Sequence, residues 1–270
     1  MLSNILLFCI FYNNNLYSNN SFLLFKDKYK VKREVYVIPS GIDTTRFYKE
    51  NIDKNEIINL KKDLGLKKTD FIVLYVGRIA KEKSIDFLIN NFNSVLNRIP
   101  KAKMIIVGDG PDIKDLIDLT RKKGLENKII FTGKAPWTDV PKYYSLCDLF
   151  VTASKTETQG LTVMEAMGAS KPVVAIRDES FELMITDKKD GLFFDDEKSY
   201  VDMIYEVYKN KKLRDEISFN ARLTADKYSP CNYAKNVLKV YDKVISKDTN
   251  VVKKVVHNVK KIFTKSGGKK

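Results

Sequence analysis

A Rossmann-like α/β domain, a doubly wound parallel sheet with helices on both faces, is expected from three features. Short, apolar, β-branched runs recur along the chain. Amphipathic stretches separate most of them. The chain has 270 residues, 44% hydrophobic and 30% charged, which is enough to close one large core or two small ones. Strands alternating with helices argue for a sheet covered on both sides, whose strands read as continuous apolar runs.

The first such run is Val35–Ile38. Phe71–Val76 is the second, and the helical apolar spacing of Ile85–Asn97 supplies a crossover after it. Lys103–Val107 is the next strand, and Asp112 is placed to start the helix Ile113–Lys123. Lys128–Phe131, the helix Val140–Leu146 and the strand Leu149–Thr152 follow. The helix Leu161–Gly168 leads to the strands Val173–Ile176 and Leu192–Phe194. Helices Tyr200–Lys209, Leu213–Lys227 and Asn232–Ile245 close the unit. With no internal repeat or long Pro/Gly linker, residues 31–246 read as one domain. Residues 1–30 read as a remnant or unstructured segment, and 247–270 as a basic amphipathic tail.

Composition removes several chemistries. The only histidine, His257, stands in a Lys-rich stretch, which argues against a His-centred triad or a His-bound metal. Cys9, Cys147 and Cys231 are far apart with no CxxC, so neither a zinc site nor a disulfide framework is expected, and Cys147 reads as core. The apolar start MLSNILLFCIFY is shorter than the ~20 residues that cross a bilayer. It also lacks a preceding Lys or Arg and a following small-residue cleavage site.

Net charge is +14, and seven of those charges are the lysines of residues 249–270, which hold no acid. Val252, Val255, Val256, Val259, Ile262 and Phe263 recur at helical spacing there. Lys253, Lys254, Lys260 and Lys261 fall mostly on the other flank, a pattern suited to an anionic membrane surface. A solvated terminal helix or a disordered basic tail would show the same residues. Nucleic acid is not expected as a partner, since half the charge excess lies in one tail and no stacking platform or recognition helix is evident.

In an open α/β sheet, ligands bind beyond the carboxyl ends of the strands, so the turns there carry the candidates. After Val76 comes Gly77-Arg78-Ile79-Ala80-Lys81-Glu82-Lys83, where Arg78 and Lys83 are either surface cations or a clamp for a diphosphate. After Val107, Gly108-Asp109-Gly110-Pro111 is a tight turn into a helix, explicable by turn geometry or by a ligand facing Gly108. Gly133 and Lys134, after the next strand, either turn the chain or line a base pocket. The segment from Ser154 to Met167 places Glu157 in a loop, Gly160 at a helix start and Glu165 within the helix. Unpaired N–H groups at the helix start near Gly160 suit a phosphate. Glu165 is flanked by apolar Ala166 and Met167, so if it faces inward it needs a partner.

The segments IPSGID (38–43), GRIAKEKSIDFLI (77–89), IIVGDGP (105–111), FTG (131–133) and TETQGLTVMEAM (156–167) resemble the donor-binding half of family 4 retaining glycosyltransferases. Glu157-x7-Glu165 matches that family's EX7E motif, and ETQGLT is similar to the bacterial diacylglycerol 3-glucosyltransferase branch. The resemblance covers residues 30–246 and implies one of the two domains of a GT-B fold. It further implies a UDP-sugar donor, UDP-glucose by the branch it is similar to, no cofactor and no metal. By that pattern Arg78 and Lys83 bind the donor diphosphate and stabilise the leaving group. Glu157 contacts the transferred hexose without acting as a nucleophile, and Glu165 holds the ribose hydroxyls. Gly160, Leu161 and Thr162 hold the distal phosphate and sugar, while Gly133 and Lys134 line the base pocket.

The family's N-terminal acceptor domain has no counterpart in residues 1–30, so the chain reads as a donor-binding half, complemented by a separate chain or little active alone. The expected activity is transfer of glucose to a lipid acceptor such as diacylglycerol, from the cytoplasm, at the inner face of the cell membrane. The alternatives are a polysaccharide or lipid-linked sugar acceptor, and an inactive donor-binding remnant.

Overall fold

The computed structural model describes residues 36, 38, 40–155, 157 and 160–247, the last four by backbone alone. The N-terminal segment 1–30 and the tail with Lys253, Lys254, Lys260 and Lys261 lie outside the described residues.

Six strands form one parallel sheet: β1 (Phe71–Val76), β2 (Ala102–Val107), β3 (Ile129–Gly133), β4 (Leu149–Thr152), β5 (Val173–Ile176) and β6 (Leu192–Phe194). Their order is β3-β2-β1-β4-β5-β6, the Rossmann order, with every pairing parallel. All six residues of β1 and all four of β4 are buried, as strands covered on both faces require. The direction of winding reverses between β1 and β4, which opens a crevice beyond their carboxyl ends.

The helices are α1 (Lys54–Asp63), α2 (Ile85–Asn90), α3 (Phe92–Arg98), α4 (Ile113–Lys122), α5 (Val140–Leu146), α6 (Leu161–Gly168), α7 (Glu179–Glu182), α8 (Glu197–Lys209), α9 (Lys211–Lys227) and α10 (Pro230–Lys247). Six of the seven expected strands are present. The seventh, Val35–Ile38, is not formed at Tyr36 or Ile38, which belong to no regular element; Val35 and Val37 lie outside the described residues. Beyond that point the chain follows the C-terminal helices instead of the sheet. The Ile42 N–H donates to the Tyr228 carbonyl at 2.8 Å, and Gly41 approaches Pro230 and Tyr233 closely.

The helix expected at Ile85–Asn97 is broken at Asn91, whose buried side-chain amide donates to the Phe87 carbonyl at 2.9 Å and competes with the backbone ladder. Asp112 stands at the N-cap of α4 without a capping hydrogen bond from its side chain. By contrast α8 begins a turn earlier than expected, on a capping box between Asp196 and Ser199. Cys147 is buried, and burial pushes its thiol up to about 12, consistent with a core role. The packing that matters for the crevice is around α6, which lies against α9 and β5 and follows β4 directly.

Candidate active site

Three turns meet at the carboxyl ends of β1, β2 and β3. The Gly77 N–H donates to the Val107 carbonyl at 3.0 Å, Ile79 N–H to the Asp109 carbonyl at 2.9 Å, and Gly108 N–H to the Gly133 carbonyl at 3.0 Å. This zipping explains Gly108: its φ is +148°, and a Cβ there would lie 1.8 Å from the Gly77 carbonyl oxygen. The joined turns floor an open pocket of about 500 Å³ lined by Gly77, Arg78, Gly108, Lys134, Ala135 and Val140, among others. Arg78, Gly108 and Lys134, expected on the donor site, are thus brought together, with Gly133 ending β3 directly before Lys134. Arg78 is two-thirds exposed and pairs loosely with Glu82 at 3.6 Å, a contact a phosphate can replace.

Across the crevice, a 3-10 turn at Lys81–Lys83 carries Lys83 toward the loop after β4. Its ammonium stands 2.7 Å from Glu157 Oε1 and 3.5 Å from the hydroxyl of fully buried Ser154. The Lys83 and Glu157 side chains are 17% and 18% exposed, so this ion pair is poorly hydrated. Tyr75 lies beneath, its hydroxyl donating to the Arg78 carbonyl at 3.1 Å. Burial raises its pKa, and the charges of Glu157 and Glu82 add to the rise.

Gly160 is the N-cap of α6, with φ of +51°. A Cβ there would lie 2.3 Å from the Met184 Cε, the tip of a flexible side chain that can move aside, so it is the left-handed conformation that asks for glycine. The N–H groups of Leu161 and Thr162 open α6, where a helix has no acceptors of its own and the dipole favours an anion. One turn further in, Glu165 is half-buried and accepts a hydrogen bond from Tyr144 at 2.9 Å. Burial raises its pKa, while the Tyr144 hydrogen bond and the Arg46 charge pull it back.

Arg46 comes from a 3-10 turn at Thr45–Phe47; it stacks 3.4 Å from the centre of the exposed Trp137 ring and donates to the Trp137 carbonyl. Sequence reasoning missed Tyr144, Arg46, Trp137 and the contact of Ser154. One signal was available for Tyr144, the need of an inward Glu165 for a partner, but nothing local says which residue answers it.

The site therefore offers cations and a helix N-terminus for a diphosphate, and a tethered carboxylate for hydroxyl donors. Glu157 is engaged with Lys83 and is not poised as a free nucleophile. Among the described residues, no three His, Cys, Asp or Glu side chains gather as metal ligands.

Comparison with known proteins places the chain in a family and a fold. The family described as glycosyl transferases group 1 matches residues 56–224. Over 221 residues the chain is 35% identical to alpha-monoglucosyldiacylglycerol synthase of Acholeplasma laidlawii, covering 82% of this chain and 56% of that protein. The protein of the same description from Streptococcus pneumoniae is 32% identical over 219 residues, covering 81% of this chain and 49% of that one. Among solved structures, Anabaena Alr3699/HepE in complex with UDP superposes with a TM-score of 0.69 at 21% identity, covering 77% of this chain and 57% of that one. WaaG, a glycosyltransferase involved in lipopolysaccharide biosynthesis, gives 0.70 at 19% identity, covering 83% and 60%. The chain spans about half the length of the curated relatives it matches.

Proposed function

The chain belongs to the group 1 glycosyl transferases, and on that premise we propose that it is the donor-binding part of a hexosyltransferase that uses UDP-glucose to glucosylate diacylglycerol. The observation that supports this reading is the turn after β1, which carries Arg78 on the pocket lining and sends Lys83 to Glu157 in the loop between β4 and α6, on the two sides of the sheet's switch point. Two cations and a helix N-terminus match a diphosphate, and a carboxylate one turn into that helix matches the ribose of a nucleotide. As the bond to the hexose breaks, negative charge gathers on the departing diphosphate, where Arg78 and Lys83 stabilise it without a metal. Lys83 turning from Glu157 to phosphate releases Glu157 to accept hydrogen bonds from the hexose. Gly160, Leu161 and Thr162 hold the distal phosphate, and Gly133 with Lys134 borders the base. The sugar is transferred with retention.

The acceptor is supported by the two glucosyldiacylglycerol synthases among the relatives. A lipid acceptor has to be met at a membrane, and the basic tail of residues 249–270 supplies a peripheral contact at an anionic inner leaflet. Among the described residues no helix is long and apolar enough to cross a membrane. Full turnover is assigned to an assembly that also contains a counterpart of the length the relatives have beyond their match to this chain, on a separate chain if need be.

Titration of the chain with UDP-glucose by calorimetry tests the reading. Saturable binding that weakens about tenfold in Glu165→Ala is expected for the loss of hydrogen bonds to a carboxylate. No binding at millimolar donor, with Glu165→Ala indistinguishable from the parent, would sink it.

A further inference from the structure

Tyr144 is fully buried in α5, the helix that precedes β4, whereas the loop that carries Glu157 follows β4. Its ring is fixed edge-on by Phe47, with centroids 5.5 Å apart at 85°, and tilted against Phe150 at 5.8 Å. The hydroxyl of this immobile ring reaches two acceptors on α6: Glu165 Oε2 at 2.9 Å and the Thr162 carbonyl at 3.1 Å. A phenol has one proton to give, and an ionised carboxylate outcompetes a carbonyl for it. Glu165 Oε2 is therefore tied to a point that packing fixes. Among the described residues, Oε1 accepts no hydrogen bond. Arg46 acts on Glu165 through its charge, while its guanidinium stacks on the Trp137 ring and donates to the Trp137 carbonyl; among the described residues it forms no hydrogen bond to Glu165.

We propose that Tyr144 is a positioning residue: by holding one oxygen of Glu165 it presents the other to a ribose hydroxyl, and the site thereby selects ribonucleotides over deoxyribonucleotides. This rests on the nucleotide-sugar reading given above. Tyr144 itself touches no ligand. A carboxylate held at one oxygen loses little freedom on binding, whereas an untethered one must be ordered by the ligand.

Titration calorimetry of the full chain with UDP, 2′-deoxy-UDP and 3′-deoxy-UDP tests this. The parent is expected to prefer UDP over at least one deoxy analogue by about tenfold, the effect of one hydrogen bond to a charged acceptor. Tyr144→Phe keeps the ring and should abolish that preference while leaving affinity for the discriminated analogue unchanged. Equal weakening for all three ligands, or an undiminished preference, overturns the proposal. A parent that binds UDP without any preference overturns it too, while the donor reading survives; a parent that binds no UDP removes both.

Should Tyr144→Phe fail to fold by circular dichroism, the substitution is made in a Glu165→Ala background, where both partners of the buried bond are gone. There it should cost UDP affinity nothing further, and an additional loss rejects action through Glu165.

Discussion

Glu165 shows how a single residue trades stability for binding. Burial raises its carboxyl pKa, so the folded chain holds this proton more tightly than the unfolded chain does. By linkage, the contribution of Glu165 to stability is fully present below the ordinary value of 4.5 and declines as pH rises through the raised value. At neutral pH the site therefore keeps a half-buried carboxylate whose cost is offset, among the described residues, by Tyr144 and the charge of Arg46. Glu165→Gln keeps the shape and one oxygen acceptor for Tyr144 but cannot ionise. We expect it to be more stable than the parent at pH 7.5, with the difference closing at pH 4 and below, in urea unfolding monitored by circular dichroism. A difference that does not change with pH would mean that the carboxylate is not strained by its surroundings. Lys83 and Glu157 follow another logic: each is the other's partner at 2.7 Å, so neither charge is stranded before a ligand arrives.

Among the elements, the turns at the carboxyl ends carry the most demanding backbone. Gly108 and Gly124 both have positive φ, but their surroundings differ. Gly124, with φ of +67°, has open space where a Cβ would go, so Gly124→Ala should cost only the left-handed conformation, about 1–2 kcal/mol. Gly108→Ala adds a clash with the Gly77 carbonyl, which is backbone and cannot swing away; about 3 kcal/mol or more is expected, with loss of UDP binding as the β1 and β2 turns part. Thermal melts of the two variants, with calorimetry on whichever folds, check the contrast, and equal costs would refute the close approach.

The strands of this sheet were legible because two covered faces make each one a continuous apolar run, and β1 and β4 match their expected bounds residue for residue. The break at Asn91 was not legible: Leu88, Ile89, Phe92 and Val95 continue one buried helical stripe straight across it. Nor was α1, which fully buries no side chain and rests on the core only through half-buried Ile57 and Leu60, leaving a weak apolar stripe.

For the molecule as a whole, the motif residues could be read from local spacing, while their partnerships could not. Lys83 meets Glu157 across 74 positions, and Arg46 meets Trp137 across 91. Such distances are set by the winding order of the sheet, which no local pattern records. Charge is the molecular property that the sequence states outright, and it divides evenly: of +14, seven charges belong to residues 249–270 and the other seven are spread over the rest of the chain. Clustered lysines near an anionic surface are worth about 1 kcal/mol each, but dispersed ones lie largely beyond a Debye length of about 8 Å at physiological salt. The tail should therefore dominate attachment even though it holds only half the excess. We expect the chain to co-sediment with vesicles rich in phosphatidylglycerol but not with phosphatidylcholine alone, and to be released by 0.5 M salt, roughly the range where screening shrinks to a few ångströms. Deleting residues 249–270 should abolish sedimentation while UDP affinity stays as it was. Retained sedimentation after the deletion would place the contact on the dispersed charges of the folded domain, and the orientation of the crevice toward the bilayer would then have to be read from that surface.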